Sequence, residues 1–98
     1  MTSRVVFRRA AQAEFLEAAA RYEQQRTGLG EEFLREVEAT IDRVADAPLM
    51  HPLVTGDVRR TVTRRFPYSI FFRHRGETVV VLAIFHGRRE PRIWQGRT

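Results

Sequence analysis

The sequence predicts an α+β domain in which a helical hairpin packs on one face of a small antiparallel-type sheet. Two observations predict it. The apolar residues recur at helical spacing in the first half of the chain and alternate in the second half. A very short glycine-containing connection separates the two helical stretches, which must therefore run antiparallel. The 98 residues suffice for one compact domain, residues 1–98, in the order β-α-α-β-β-β.

The first half of the chain contains a short strand followed by two helices. Three consecutive β-formers predict the strand at Arg4–Phe7. The first helix runs from about residue 9 to Gly28, and the second from near Gly30 to Pro48, which stops it. Their apolar stripes, which we expect to face the core, are Ala11, Phe15, Ala18 and Tyr22, and Phe33, Val37, Ile41 and Val44.

The second half of the chain contains three predicted strands. A proline-containing loop over residues 47–56 precedes the first of them, Val58–Arg65, which alternates loosely. Tyr68–Arg73 is rich in aromatic residues, and a glycine turn joins it to Thr78–Phe85. Because Thr78–Phe85 is nearly all apolar, we expect a central strand that is buried on both faces.

The composition excludes several kinds of chemistry. The chain has no cysteine, so disulfides and thiolate metal sites are impossible. All 17 basic residues are arginine, which excludes a lysine Schiff base and a P-loop lysine. Arginine stays protonated, so it can hold a carboxylate or a phosphate but is a poor general base.

The charge is distributed unevenly along the chain. Residues 1–47 carry 7 arginines and 9 acidic residues, a net charge of −2. Residues 48–98 carry 10 arginines and 3 acidic residues, a net charge of +7. The second half is therefore a candidate surface for an acidic partner, either a nucleic acid or an acidic polypeptide.

No metal, cofactor or membrane segment is predicted. His51, His74 and His86 have none of the spacings of a metal site. The longest apolar run, Val79–Phe85, is too short to span a bilayer, and the N-terminus lacks the apolar segment of a signal peptide. We therefore expect a cytoplasmic protein.

Five segments together resemble the RelE/ParE superfamily of bacterial type II toxins, and specifically its ParE (plasmid stabilisation) branch. They are EFLEAAARYEQQ at Glu14–Gln25, GLG followed by FLREVE at Gly28–Glu38, the proline after the second helix, RRFPYSIFFR at Arg64–Arg73 and HGRREPRIW at His86–Trp94. They span nearly the whole chain in the right order. The RRFPY and HGRRxPxxW pair is the most specific of them.

The resemblance implies a toxin that is neutralised by a cognate ParD-like antitoxin in a hetero-oligomeric complex. ParE-like members are thought to inhibit DNA gyrase, whereas RelE-like members share the fold and cleave mRNA on the ribosome. An acidic antitoxin segment could lie along the hairpin and the sheet face and pair with arginines of the second half. The predicted antitoxin-binding residues are Arg59, Arg60, Arg65 and Arg73. An ordinary solvated basic face is the alternative.

Gyrase inhibition needs a binding surface rather than an acid–base pair. The tail combines a proline, arginines and the only tryptophan, and arginine and tryptophan are enriched at binding hot spots. We therefore predict target-binding roles for Arg88, Arg89 and Trp94. The alternative is that Trp94 packs back on the sheet edge and the arginines are solvated.

A ribosome-dependent endoribonuclease of the RelE kind is the alternative function, and a non-toxic relative that only binds antitoxin is a third. RNA cleavage needs a base, an acid and positive charge near the phosphate, for which the candidates are Arg64, Tyr68 and His86. Some relatives of the nuclease branch carry an arginine where this chain has Ser69, and they end in a tyrosine or histidine pair. Here His86 is followed by Gly87, and both departures favour the gyrase interpretation.

Overall fold

The computed structural model describes residues 2–87, and within them two helices and five strands form. The elements are β1 (Arg4–Phe7), α1 (Arg9–Gln25), α2 (Leu29–Asp46), a 3₁₀ turn (Pro48–Met50), β2 (Leu53–Thr55), β3 (Val58–Val62), β4 (Tyr68–Arg75) and β5 (Thr78–His86). The predicted α+β class, the helical hairpin and the four predicted strands are confirmed. The predicted order lacks β2, which lies within the segment predicted to be a loop. This strand has only three residues, all of them exposed, so it leaves no alternating pattern.

The sheet is mixed rather than antiparallel throughout, with the strand order β1-β5-β4-β3-β2. β1 runs parallel to β5, with Val5 opposite Val79, and the other neighbours are antiparallel. The hairpin returns the chain to the end of the sheet where β1 begins. At that end the Ser3 N–H donates to the Ala45 carbonyl at 2.9 Å. The strands β3, β4 and β5 then alternate in direction, and this makes β5 parallel to β1.

The helices cover one face of the sheet and enclose an aromatic core. Phe33 of α2 is fully buried, and its ring centroid lies 4.9 Å from that of Tyr68 on β4 and 5.1 Å from that of Tyr22 on α1. The helical stripes predicted from spacing are buried here, with Phe15 and Tyr22 partly buried at the margin. Tertiary packing of these faces supplies most of the stability of such helices.

The β5 strand is buried on both faces, as predicted. Leu82 is an extra residue in its pairing with β4, since Phe71 lies opposite Ala83 and Phe72 opposite Val81. The helix-facing side chains of β5 join the aromatic core. The opposite face carries a second apolar cluster formed by Val58, Phe71, Leu82, Ala83 and Phe85.

α1 takes the place of β1 beside the second half of β5. β1 pairs with β5 only as far as Val81, so the backbone of β5 beyond this point needs another partner. The Glu14 carboxylate of α1 accepts a hydrogen bond from the Ile84 N–H at 3.1 Å. Beyond this contact, the C-terminal half of α1 lies beside the ends of β4 and β5, where several polar side chains meet.

Candidate functional site

Tyr68 and His86, two predicted ribonuclease residues, are cross-strand neighbours at the end of the sheet. Their ring centroids lie 5.4 Å apart with the rings nearly perpendicular. Tyr68 is only 5% exposed, and its hydroxyl accepts a hydrogen bond from Arg21 Nη2 at 3.3 Å. His86 is exposed.

These side chains line a polar depression of about 310 Å³ between α1 and the ends of β4 and β5. We call it the Arg21 depression, and its lining residues are Arg21, Tyr22, Gln25, Tyr68 and His86. Burial raises the pKa of Tyr22, and the neighbouring Tyr68 adds to this, whereas the Arg21 charge opposes it. The Tyr22 phenol is therefore protonated at neutral pH and can donate a hydrogen bond.

Arg64, the third predicted ribonuclease residue, lies apart from this pair. It belongs to the connection between β3 and β4, where its backbone N–H donates to the Glu36 carboxylate of α2. It does not line the Arg21 depression. The structure therefore brings together two of the three residues, and the cation beside them is Arg21. Arg21 was missed because, in the sequence, it reads as a solvent-facing helix residue.

The four predicted antitoxin-binding arginines do not form one continuous surface. Alternation along β3 places Arg59 and Arg60 on opposite faces of the sheet. Arg60 lies opposite Phe71 and faces away from the helices, as does Arg73. Arg65 lies in the connection between β3 and β4, beside α2.

Three of these arginines already have partners within the chain. Arg59 donates to the His51 carbonyl at 2.6 Å. Arg65 pairs with Glu32 at 2.9 Å. Arg73, whose side chain is only 11% exposed, pairs with Asp57 at 3.0 Å. Arg60 is the one of the four whose side chain makes neither an ion pair nor a hydrogen bond to another residue within residues 2–87.

The carboxylates that hold these arginines are stabilised in their charged form. Hydrogen bonds from Arg65 and then Arg26 lower the pKa of Glu32. Desolvation acts to raise the pKa of Asp57, but hydrogen bonds and charges from Arg73 and Arg75 outweigh it, and the net shift is downward. Both carboxylates are therefore ionised at neutral pH.

Within residues 2–87, most of the large exposed apolar side chains follow α2. We call it the β2 surface and define it as Leu49, Met50, Leu53 and Val54. Leu49 is 66% exposed and Met50 81% exposed, and both border an open cavity of about 500 Å³ between the start of β1 and the end of α2. β2 lies at the edge of the described sheet, so one side of its backbone has no strand partner within residues 2–87. This surface was not predicted from the sequence, because the segment that forms it was predicted to be a loop.

The predicted target-binding residues Arg88, Arg89 and Trp94 lie outside the described residues. Within residues 2–87, no three histidine or acidic side chains are grouped so that they could hold a metal ion. None of the helices in this part of the chain is long and apolar enough to cross a membrane.

Solved structures of bacterial toxin–antitoxin systems contain chains with this fold. The chain is similar to a protein of the chromosomal ParDE system of P. aeruginosa, with 16% identity over 89% of this chain and 98% of the other and a TM-score of 0.77. It is also similar to a chain of the RelBE2 complex of Mycobacterium tuberculosis, with 21% identity, coverages of 88% and 99% and a TM-score of 0.62. A chain of the E. coli RelBE complex has 16% identity, coverages of 89% and 99% and a TM-score of 0.65. At these identities the likeness shows the shared fold.

The family is shown by the sequence itself. Residues 5–91 match the family described as the ParE toxin of the type II toxin-antitoxin system parDE. This chain therefore belongs to the ParE toxin family, as its residues suggested. The comparison with curated protein sequences finds no match.

Proposed function

We propose that this ParE-family toxin inhibits DNA gyrase by binding it, and that a ParD-like antitoxin neutralises the toxin. The match with the ParE family over residues 5–91 carries the proposal. The likeness to RelE structures concerns the fold, which hosts both activities. The second function class, mRNA cleavage, is therefore the alternative that an experiment must separate from gyrase inhibition.

The geometry of the predicted ribonuclease residues supports gyrase inhibition over mRNA cleavage. A general acid or base must reach the proton that it transfers. The Tyr68 hydroxyl is buried and already bonded to Arg21, and Arg64 lies over α2 instead of beside His86. A toxin that acts by binding needs none of these groups.

Purified toxin separates the two functions in one comparison. We expect it to abolish supercoiling by gyrase and to leave mRNA intact on programmed ribosomes, and we expect the antitoxin to restore supercoiling. Cleavage at the ribosomal A site with supercoiling unaffected would instead identify a RelE-like endoribonuclease. If supercoiling continues and the mRNA stays intact, the chain is a non-toxic relative that only binds antitoxin.

We further propose that Arg88, Arg89 and Trp94 contact gyrase. Arg88→Glu and Arg89→Glu are each expected to abolish growth arrest while antitoxin binding survives, because a reversed charge repels an acidic partner. Arg9→Glu, which reverses an exposed charge at the start of α1, is the matched control and should stay toxic. Full growth arrest by the Arg88 and Arg89 variants would exclude this assignment.

We propose that the antitoxin covers the β2 surface and uses nearby arginines for charge recognition. Exposed side chains of this size are typical of protein interfaces, and the basic second half of the chain suits an acidic, amphipathic segment. Arg59 lies opposite Leu53 on β3, and Arg60 projects from the other face of the sheet beside it. For Arg65 and Arg73, binding requires the antitoxin to compete with Glu32 and Asp57.

The role of the β2 surface in antitoxin binding is tested by placing a charge within it. Leu53→Asp is expected to weaken antitoxin binding at least tenfold, because burying a leucine contributes about 1.5–3 kcal/mol. Leu16→Asp on α1 is the control, since Leu16 is 53% exposed and Leu53 is 55% exposed. Calorimetric titration with the antitoxin measures the dissociation constant of each variant. Equal affinities for Leu53→Asp and Leu16→Asp would show that the antitoxin does not bind the β2 surface.

A further inference from the structure

We propose that the Arg21 depression is an anion-binding site that takes the phosphate group of a mononucleotide-sized phosphate monoester. Nothing in gyrase inhibition or antitoxin binding requires such a site. Its lining residues are distinct from the tail residues and from the β2 surface that are assigned to those partners. The inference therefore stands or fails separately from the proposed function.

Four of the five side chains that line the depression offer hydrogen-bond donors to a ligand, whereas the buried Tyr68 hydroxyl is bonded to Arg21. Arg21 and Gln25 lie one helical turn apart on α1, and Tyr22 lies beside Arg21. Tyr68 and His86 face them from β4 and β5. A guanidinium has five N–H donors, and the Tyr68 hydroxyl accepts from one of its nitrogens. Several donors from two sides thus remain for a ligand.

The Arg21 charge is not neutralised within residues 2–87. The ion pairs of this part of the chain involve other arginines, and none includes Arg21. Glu17 lies one turn before Arg21 and lines an adjoining depression, but none of the ion pairs within residues 2–87 joins the two side chains. Glu14, which lines the same adjoining depression, accepts the Ile84 N–H. A guanidinium that faces a polar depression without a carboxylate attracts an anion.

The arrangement of the donors favours phosphate over carboxylate. A planar carboxylate is matched by the guanidinium fork alone. The oxygens of a tetrahedral phosphate point in several directions and can accept from α1 and from β5 at the same time. A volume of about 310 Å³ lies at the small end of small-molecule sites and suits a mononucleotide better than a larger ligand.

NMR titration of the full chain tests the site with three probes at constant ionic strength: inorganic phosphate, adenosine 5′-monophosphate and adenosine. We expect the His86 and Gln25 resonances to shift with inorganic phosphate and with the monophosphate but not with adenosine. Arg21→Gln should weaken binding of the monophosphate at least about tenfold, since it removes a charged donor. Arg9→Gln removes the same charge from α1 outside the depression and should change the affinity less than about twofold.

His86→Gln is the second variant, because Arg21→Gln also removes the hydrogen bond to Tyr68. His86 is exposed, so this variant should unfold at the same midpoint as the wild type. Its affinity for the monophosphate should nevertheless be several-fold lower than that of the wild type. The proposal would be overturned by equal losses in the Arg21 and Arg9 variants, by adenosine binding as tightly as its monophosphate, or by unchanged binding in His86→Gln.

Discussion

His51 lies where the β2 surface meets the core. Its ring packs against Phe72 with centroids 5.6 Å apart, and its carbonyl accepts the hydrogen bond from Arg59. Burial, followed by the charges of Arg43 and Arg59, lowers the pKa of His51 from its ordinary value of 6.5. The neutral imidazole is therefore the form that the folded chain prefers.

This pKa predicts a loss of stability on mild acidification. The unfolded chain binds the His51 proton more readily than the folded chain, so stability is present above the ordinary histidine pKa and falls as the pH drops below it. We expect His51→Gln to lose less free energy of unfolding than the wild type between about pH 7.5 and pH 5.5, where carboxylates stay ionised. Urea unfolding at both pH values measures this, with His86→Gln as the control. Parallel losses in wild type and His51→Gln would show that another group controls the pH dependence.

Single residues such as Phe33 and Val37 were predictable as core residues, because helical periodicity alone fixes the face on which they lie. Tyr68 and His86 were chosen from the sequence and prove to be neighbours. Arg21 was not chosen, because its role depends on α1 lying beside the second half of β5, a tertiary contact. The face on which His86 lies also depends on the extra residue Leu82, which no alternation rule predicts.

The helical hairpin depends on a close approach of its two arms. At Gly30 an added Cβ would lie 2.5 Å from the Ala19 carbonyl oxygen and 3.0 Å from the Glu23 Cβ. The Glu23 carboxylate accepts hydrogen bonds from the N–H groups of Gly28 and Gly30, at 2.9 Å and 3.0 Å. Gly28 adopts a φ of 91°, in the left-handed region that glycine reaches without strain.

Gly30→Ala should therefore destabilise the fold even though alanine is the better helix former. The clash is with backbone, which cannot rotate away, so we expect a cost of about 1–3 kcal/mol against an intrinsic gain of up to about 1 kcal/mol. Glu38→Ala on the exposed side of α2 is the control and should change stability by less than about 0.5 kcal/mol. A Gly30→Ala variant as stable as the wild type in thermal unfolding would mean that the helices can separate at no cost.

The helices and the long strands were predictable as elements because each presents a periodic apolar face. β2 was not, since its three residues are all exposed and follow Pro52. The parallel pairing of β1 and β5 was also missed. The parallel pairing depends on the end of the sheet to which the hairpin returns the chain. The Ser3–Ala45 hydrogen bond marks that end, and no local sequence pattern predicts it.

Across the whole molecule, contacts between the acidic and the basic halves of the chain engage part of their charge, as in the exposed ion pair of Arg65 with Glu32. Glu32 and Glu36 of the acidic half contact Arg64 and Arg65 of the basic half through side-chain and backbone hydrogen bonds. The seventeen arginines therefore include structural cations as well as candidate recognition groups. This division is invisible in the composition, because it depends on α2 lying beside the connection between β3 and β4.

The proposed action of this toxin, binding to its target rather than turnover, is tested by the stoichiometry of gyrase inhibition. An inhibitor that acts by tight binding is consumed by its target, whereas an enzyme turns over and acts at low molar ratio. With the gyrase concentration fixed above the dissociation constant, supercoiling should fall in proportion to added toxin and cease near equimolar amounts. Undiminished supercoiling at excess toxin, with mRNA cleaved on ribosomes at a small fraction of equimolar toxin, would instead show that the toxin acts as an enzyme on mRNA.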